Sequence, residues 1–188
     1  RALRMAYHYH RAVHRFQGIT PDSATGYTEV VDELAKVVEI QPDCESAIGA
    51  LSHIATKDLS QKERIKDILK EVLSSGNGKK AQLKSKVSLA LAMSENKSSH
   101  SKKEYLEAAI AADPENGEAL LRLVGMLAKE DKPDYTRIAI LATEAIARCR
   151  SDQRAECFHM LGLAKLRLKN WNEAIVALAV SKCYRIKC

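Results

Sequence analysis

Residues 155–188 read AECFHMLGLAKLRLKNWNEAIVALAVSKCYRIKC. Apolar residues recur along this stretch at helical spacing, and the run is broken at Lys169-Asn170, so it reads as two helices joined by a tight turn. Leu161-Gly162 places a small residue beside a large one on the first of them, which lets two helices approach closely. Similar pairs stand upstream at Leu51-Ser52, Leu89-Ala90 and Leu123-Val124, and the four leucines are spaced 38, 34 and 38 residues apart. A period of about 34 is one helix-turn-helix unit whose apolar face is buried only by its neighbours.

The rest of the chain has the same texture. Leu83, Val87, Ala90, Leu91 and Ser94 form one apolar stripe, Leu120, Leu123, Val124 and Leu127 another, and the period-two alternation of a half-buried strand is nowhere sustained. Breakers fall at Gly18 to Gly26, Gln41-Pro42-Asp43, Ser74 to Gly78, Ser94 to Ser101, Asp113 to Gly117, Lys129 to Asp134, Arg150 to Gln153 and Lys169-Asn170. They divide the chain into about nine or ten helices of ordinary length. Two second helices end alike, at Ile40-Gln41-Pro42-Asp43 and Ala112-Asp113-Pro114-Glu115, each with a proline that cannot continue the helix and fixes the turn into the next unit.

Composition agrees with a folded helical chain. Of 188 residues, 46% are hydrophobic, 29% charged and 5% aromatic, with 8 Gly and 4 Pro, which excludes collagen and low-complexity disorder. Lys, Glu or Arg interrupts every apolar segment before the roughly 18 to 20 residues that a membrane span requires, so no membrane insertion is expected. The net charge of +6 is uneven. Residues 1–20 hold Arg1, Arg4, Arg11 and Arg15 without an acid, and residues 165–188 hold six cations against Glu173 alone. Five cysteines at irregular spacing, without CxxC, exclude a disulfide framework and a structural zinc site, and indicate reduced thiols in an intracellular, most simply cytoplasmic, setting. The chain opens at Arg1 without Met or a signal-peptide core, and closes just after a hydrophobic helix, so it is expected to be an excised part of a longer protein.

At this point the sequence resembles the tetratricopeptide repeat (TPR) family. Phe158, Leu161, Gly162, Trp171, Ala174, Leu178 and Ser181 match its large-Leu-Gly-aromatic-Ala-large-Ala pattern, and Tyr27, Val30, Leu34, Val37 and Pro42 match it with Val at two small positions. The unit from Gly117 keeps Leu120, Leu123 and Tyr135; those from Glu45 and Leu83 match mainly through their leucine pairs. The resemblance implies an all-α fold, a right-handed α-α superhelix of antiparallel helix pairs, with units near 1–44, 45–82, 83–116, 117–154 and 155–188 in a single repeat domain. It also implies a concave groove, lined by the first helices, that binds peptides or helices of partner proteins. Carried onto this sequence, the groove positions are Ser46, Gly49 and His53; Lys84, Val87 and Leu91; Glu118, Leu121, Arg122 and Gly125; and Glu156, His159 and Leu163. Such a groove is apolar in the middle and charged at its edges. The clamp by which some family members hold acidic chaperone tails needs Lys, Asn and Arg; Gly49, His53, Leu121 and Arg122 do not supply it.

His10 and His14 have the i, i+4 spacing of a metal pair, but no Glu, Cys or Asp accompanies them, so they read as part of a solvated basic helix. Arg4, His8, Arg11 and Arg15 lie about one turn apart and form a candidate basic contact face for phosphates or an acidic protein. Lys79, Lys80, Lys84 and Lys86 follow Gly76-Asn77-Gly78 without the spacing or the strand of a phosphate-binding loop. No triad, GxSxG or HExxH is present, so no catalysis, cofactor or small-molecule substrate is expected. The expected function is a non-catalytic scaffold or adaptor, with protein partners and a place in a larger complex. The alternative is an RNA-associated helical repeat, similar to pentatricopeptide proteins, that uses its basic termini. A third possibility is a segment of a larger solenoid, suggested by the apolar run Ala174 to Val180.

Overall fold

The computed structural model describes residues 1–19, 26–74, 81–95 and 100–186, and these form ten helices and no strand. In chain order they are α1 (Ala2–Gln17), α2 (Gly26–Ile40), α3 (Glu45–Lys57), α4 (Lys62–Ser74), α5 (Ala81–Ser94), α6 (His100–Ala112), α7 (Gly117–Leu127), α8 (Tyr135–Arg148), α9 (Ser151–Arg167) and α10 (Trp171–Ile186). Every breaker anticipated from the sequence separates two of them. The two Pro turns share one geometry. Cys44 N donates to Gln41 O at 3.1 Å and Asn116 N to Asp113 O at 3.0 Å, so each proline occupies the second position of a four-residue turn. Where a helix start is capped, the cap is local: Asn116 accepts from Ala119 N, and Asp134 from Thr136 N and Arg137 N.

The chain divides into two compact units, Arg1–Tyr105 and Leu106–Cys188, with the boundary inside α6. In the first, α1 packs on α2, α2 on α3, and α3 on both α4 and α5. Arg1 donates to Ile40 O at 2.9 and 2.6 Å, so the start of α1 lies at the end of α2 and the pair is antiparallel. Val31, Leu34, Leu51, Ile54, Ile65, Leu69 and Leu91 fill the core of this unit, each at 2% exposure or less. Ser52 Oγ donates to Ala90 O at 3.4 Å, so the small residues of two successive Leu-small pairs face each other across α3 and α5. Lys66 is buried between Glu63 at 3.0 Å and Glu95 at 2.8 Å. Burial alone would lower its ammonium; the hydrogen bonds to Glu95 and Glu63 outweigh it and hold the group above its usual range.

In the second unit, α7 packs on α8, α8 on α9, and α9 on α10. Leu120, Ala145 and Cys157 are fully buried there. A Cβ on Gly117 would lie 2.6 Å from backbone atoms of Arg148 and Cys149, so the start of α7 meets the end of α8 where a larger residue has no room. Gly162 plays the same part between α9 and α10, facing Leu178. Ser181 Oγ reaches Ala155 O at 2.7 Å and Phe158 stacks on Tyr184, which joins the far ends of the same pair. The turn between them closes as a Schellman motif: Asn170 N donates to Lys165 O, Lys169 N to Leu166 O, and Lys169 takes the left-handed conformation at φ 61°. The cysteines are free thiols, with Cys149 and Cys157 in the core, Cys44 half-buried and Cys183 exposed; Cys188 lies outside the described residues. Cys157 donates to Cys149 Sγ at 3.4 Å and Cys149 to Gly117 O at 3.1 Å, and burial pushes both thiols up, which keeps them protonated.

Candidate functional site

The first unit carries a concave apolar socket of about 520 Å³. One wall is α1, with Tyr9, Ala12, Val13 and Phe16; the floor is Val30 and Leu34 of α2; the other wall is Ala50, His53 and Ile54 of α3. Tyr9, Val13 and Phe16 share one side of α1 because they are four and three residues apart. Val13 and Phe16 remain 39% and 41% exposed, so large apolar surface stays open to solvent beside a fully buried floor. The polar groups of the lining are Gln17, His53 and the hydroxyl of Tyr9.

Of the expected groove residues, His53 lines this socket, and Ser46 and Gly49 are exposed on the same helix, with open space where a Cβ on Gly49 would point. In the second unit Glu156, His159 and Leu163 reach solvent along α9, joined by Leu166 at 39% exposure. Lys84, Glu118, Arg122 and Gly125 also retain solvent contact. Val87, Leu91 and Leu121 correct the expectation: they are 0%, 0% and 5% exposed and belong to the cores. The cause is the packing of α5 and α7, each buried over more than one stripe, so a position that faces a groove in an ideal repeat faces a neighbouring helix here. Arg122 pairs with Glu118 at 3.4 Å along its own helix, so it is not presented as a carboxylate clamp.

The basic face of α1 is also corrected. His8, Arg11 and Arg15 turn toward α2, where Glu33 is 2% exposed. His8 Nδ1 donates to Glu33 Oε2 at 2.6 Å, Arg11 lies 3.5 Å and Arg15 3.7 Å from Oε1, and Arg15 also meets Glu29 at 3.2 Å. Lys36 completes the ring at 3.5 Å. Burial alone would raise the Glu33 carboxyl, but the hydrogen bond from His8 and the charges of Lys36 and Arg11 bring it below its usual range. Three of the four residues expected to meet phosphates therefore hold a buried carboxylate, and Arg4 alone of the four stays exposed without one among the described residues. Sequence reasoning missed Glu33 because its burial depends on α1 lying over it. The wall of Tyr9, Val13 and Phe16 has a legible signal, a spacing of four and three residues on the side of α1 opposite Arg4, Arg11 and Arg15.

His10 and His14 are exposed on α1, and among the described residues no group of three or more His, Cys, Asp or Glu gathers as a metal site. Lys86 pairs with Glu45, while Lys79 and Lys80 lie outside the described residues. No described helix is long and apolar enough to cross a membrane.

No protein-family model and no curated protein sequence matches this chain. The solved structures similar to it include two of MamA. A crystal structure of MamA has a TM-score of 0.60 at 15% identity, covering 86% of this chain and 90% of its own. The structure MamA MSR-1 C2 has a TM-score of 0.58 at 13% identity, covering 98% of both chains. These neighbours are helical solenoids, and the likeness shows the fold class: an all-α helical solenoid.

Proposed function

We propose that the chain is a non-catalytic protein-protein interaction scaffold that seats an apolar segment of a partner protein in the socket between α1 and α3, with the helix pairs of residues 1–44, 45–82, 83–116, 117–154 and 155–188 as its repeat units. The observation that carries this reading is the socket itself: about 520 Å³, walled by half-exposed Val13 and Phe16 over a buried floor, with His53 and Gln17 as its polar edge. Pockets of this size and lining take two or three apolar side chains and orient them with a few polar groups. The resemblance to scaffold-type repeats and the fold of the solved neighbours support it. The alternative, RNA binding through the basic termini, loses the amino-terminal donors His8, Arg11 and Arg15 to Glu33 and Glu29.

The test is capture with the whole chain as bait at about 100 and 500 mM salt, the range over which phosphate contacts weaken, beside the variant Phe16→Glu. A protein partner retained at the higher salt by the wild type and lost by the variant, with unchanged circular dichroism, is the expected outcome. RNA recovered only at low salt, with the same protein profile for wild type and variant, would overturn the reading.

A further inference from the structure

The second unit carries a different surface. On α10 the residues Ala174, Ala177 and Ser181 point into the α9 contact at 1%, 5% and 3% exposure. The opposite side of that helix is mainly apolar, interrupted by the exposed Asn172. Trp171, Ile175, Ala179 and Cys183 follow one another at four-residue steps and are all exposed, and Val176 lies beside them. Trp171, Ile175 and Val176 keep 57%, 66% and 63% of their surface in solvent. A helix that is apolar on both sides is one that is covered on both sides. Residues at i, i+4, i+8 and i+12 form the ridge that fits the groove of a second helix, whereas an extended strand laid on it would leave backbone N–H and C=O groups unpaired.

The charges around the ridge name its partner. In the second unit Arg122, Arg137, Arg148, Arg150 and Lys165 each hold a carboxylate. Arg167 and Lys169, at the turn that leads into Trp171, and Lys182 and Arg185, further along α10, are exposed, and among the described residues no carboxylate pairs with any of them. The one acid on α10, Glu173, is taken by Lys165 at 2.6 Å. A second copy of the chain would bring these four cations against four more. We infer that the outer face of α10 is a docking surface for an amphipathic helix of another protein, whose apolar stripe covers Trp171, Ile175 and Val176 and whose flanks carry Asp and Glu. This surface is separate from the α1–α3 socket and does not depend on it.

Trp171 is the single tryptophan of the chain and reports directly on its own face. The experiment titrates the 188-residue chain with two synthetic amphipathic helical peptides that share one apolar stripe and differ only in having Glu or Lys on the flanks. The Glu-flanked peptide is expected to shift Trp171 emission to shorter wavelength and to bind at least about tenfold more tightly than the Lys-flanked one. Ile175→Glu should abolish the shift without altering the thermal melt, since that side chain is 66% exposed. The double variant Lys182→Glu with Arg185→Glu should reverse the preference between the peptides. Equal binding of both peptides, or binding untouched by Ile175→Glu, would overturn the inference. So would a blue shift that grows with protein concentration alone, tracked by sedimentation, because a second copy would then be the occupant.

Discussion

A Cβ added at Gly162 would lie 2.6 Å from Cγ of Leu178 and 3.2 Å from its backbone nitrogen, so α9 and α10 meet there at a distance that only a hydrogen atom permits. The far end of Leu178 can rotate away from an added methyl, but its backbone cannot. Gly162→Val is therefore expected to cost about 1–3 kcal/mol through overpacking. A thermal melt followed by circular dichroism checks it, and an unchanged midpoint would contradict the α9–α10 register. This glycine was legible in the sequence because a small residue beside Leu161 at a fixed distance from Trp171 is a local pattern. The neighbouring large residues were less so. Leu51 and Leu123 are at 0% and 2% exposure, as a core assignment requires, and Ala174 is at 1%. Leu89, Leu161 and Leu178, which belong to the same repeat pattern, are only half-buried, Leu178 even though it lies directly against Gly162.

At the scale of the element, α1 and α2 are held together by a carboxylate that no inspection of either helix would single out. Glu33 is ionised in its buried ring, so His8 must carry its proton on Nδ1, since a carboxylate can only accept there. Its carboxyl lies below the usual value of 4.5 in the folded chain, and the sign follows from linkage. The contribution is fully present above about pH 4.5, the unfolded value, and is lost as pH falls through the folded one. Glu33→Gln is expected to cost about 1.5–3 kcal/mol at neutral pH, the range for hydrogen bonds to a charged group. It should also flatten the acid limb below about pH 4.5, and parallel melting curves for wild type and variant across that window would refute the assignment. The same scale explains α5. Its sequence supports two readings, an apolar stripe of Leu83, Val87, Ala90, Leu91 and Ser94 and a groove face that includes Val87 and Leu91. The stripe is the one observed, with every member at 5% exposure or less. A stripe is a property of the helix alone; a groove face depends on where the next helix is placed.

At the scale of the whole molecule, repeat architecture makes stability a sum of neighbouring contacts, so protection should follow the number of covered sides. Within the second unit, α7 buries Leu120, Leu121, Leu123, Val124 and Leu127, whereas α10 is covered on one side. Hydrogen exchange followed by mass spectrometry should find the amides of Leu120–Leu127 slower than those of Ile175–Arg185. Equal protection would mean that the outer face of α10 is already covered in the isolated chain. What the sequence by itself determined is the all-helical class, the placing of every turn except the one between α3 and α4, and the close contact at Gly162. Each of these rests on residues within a turn or two of one another, where spacing, proline and glycine act directly on the backbone. Only the tertiary structure decided which apolar positions remain open, that the arginines of α1 serve Glu33, and that α10 is left with an uncovered apolar ridge among unpaired cations. Burial and charge pairing are set by the helix that lies opposite, whose residues can stand well beyond any local pattern, as Glu33 does from His8.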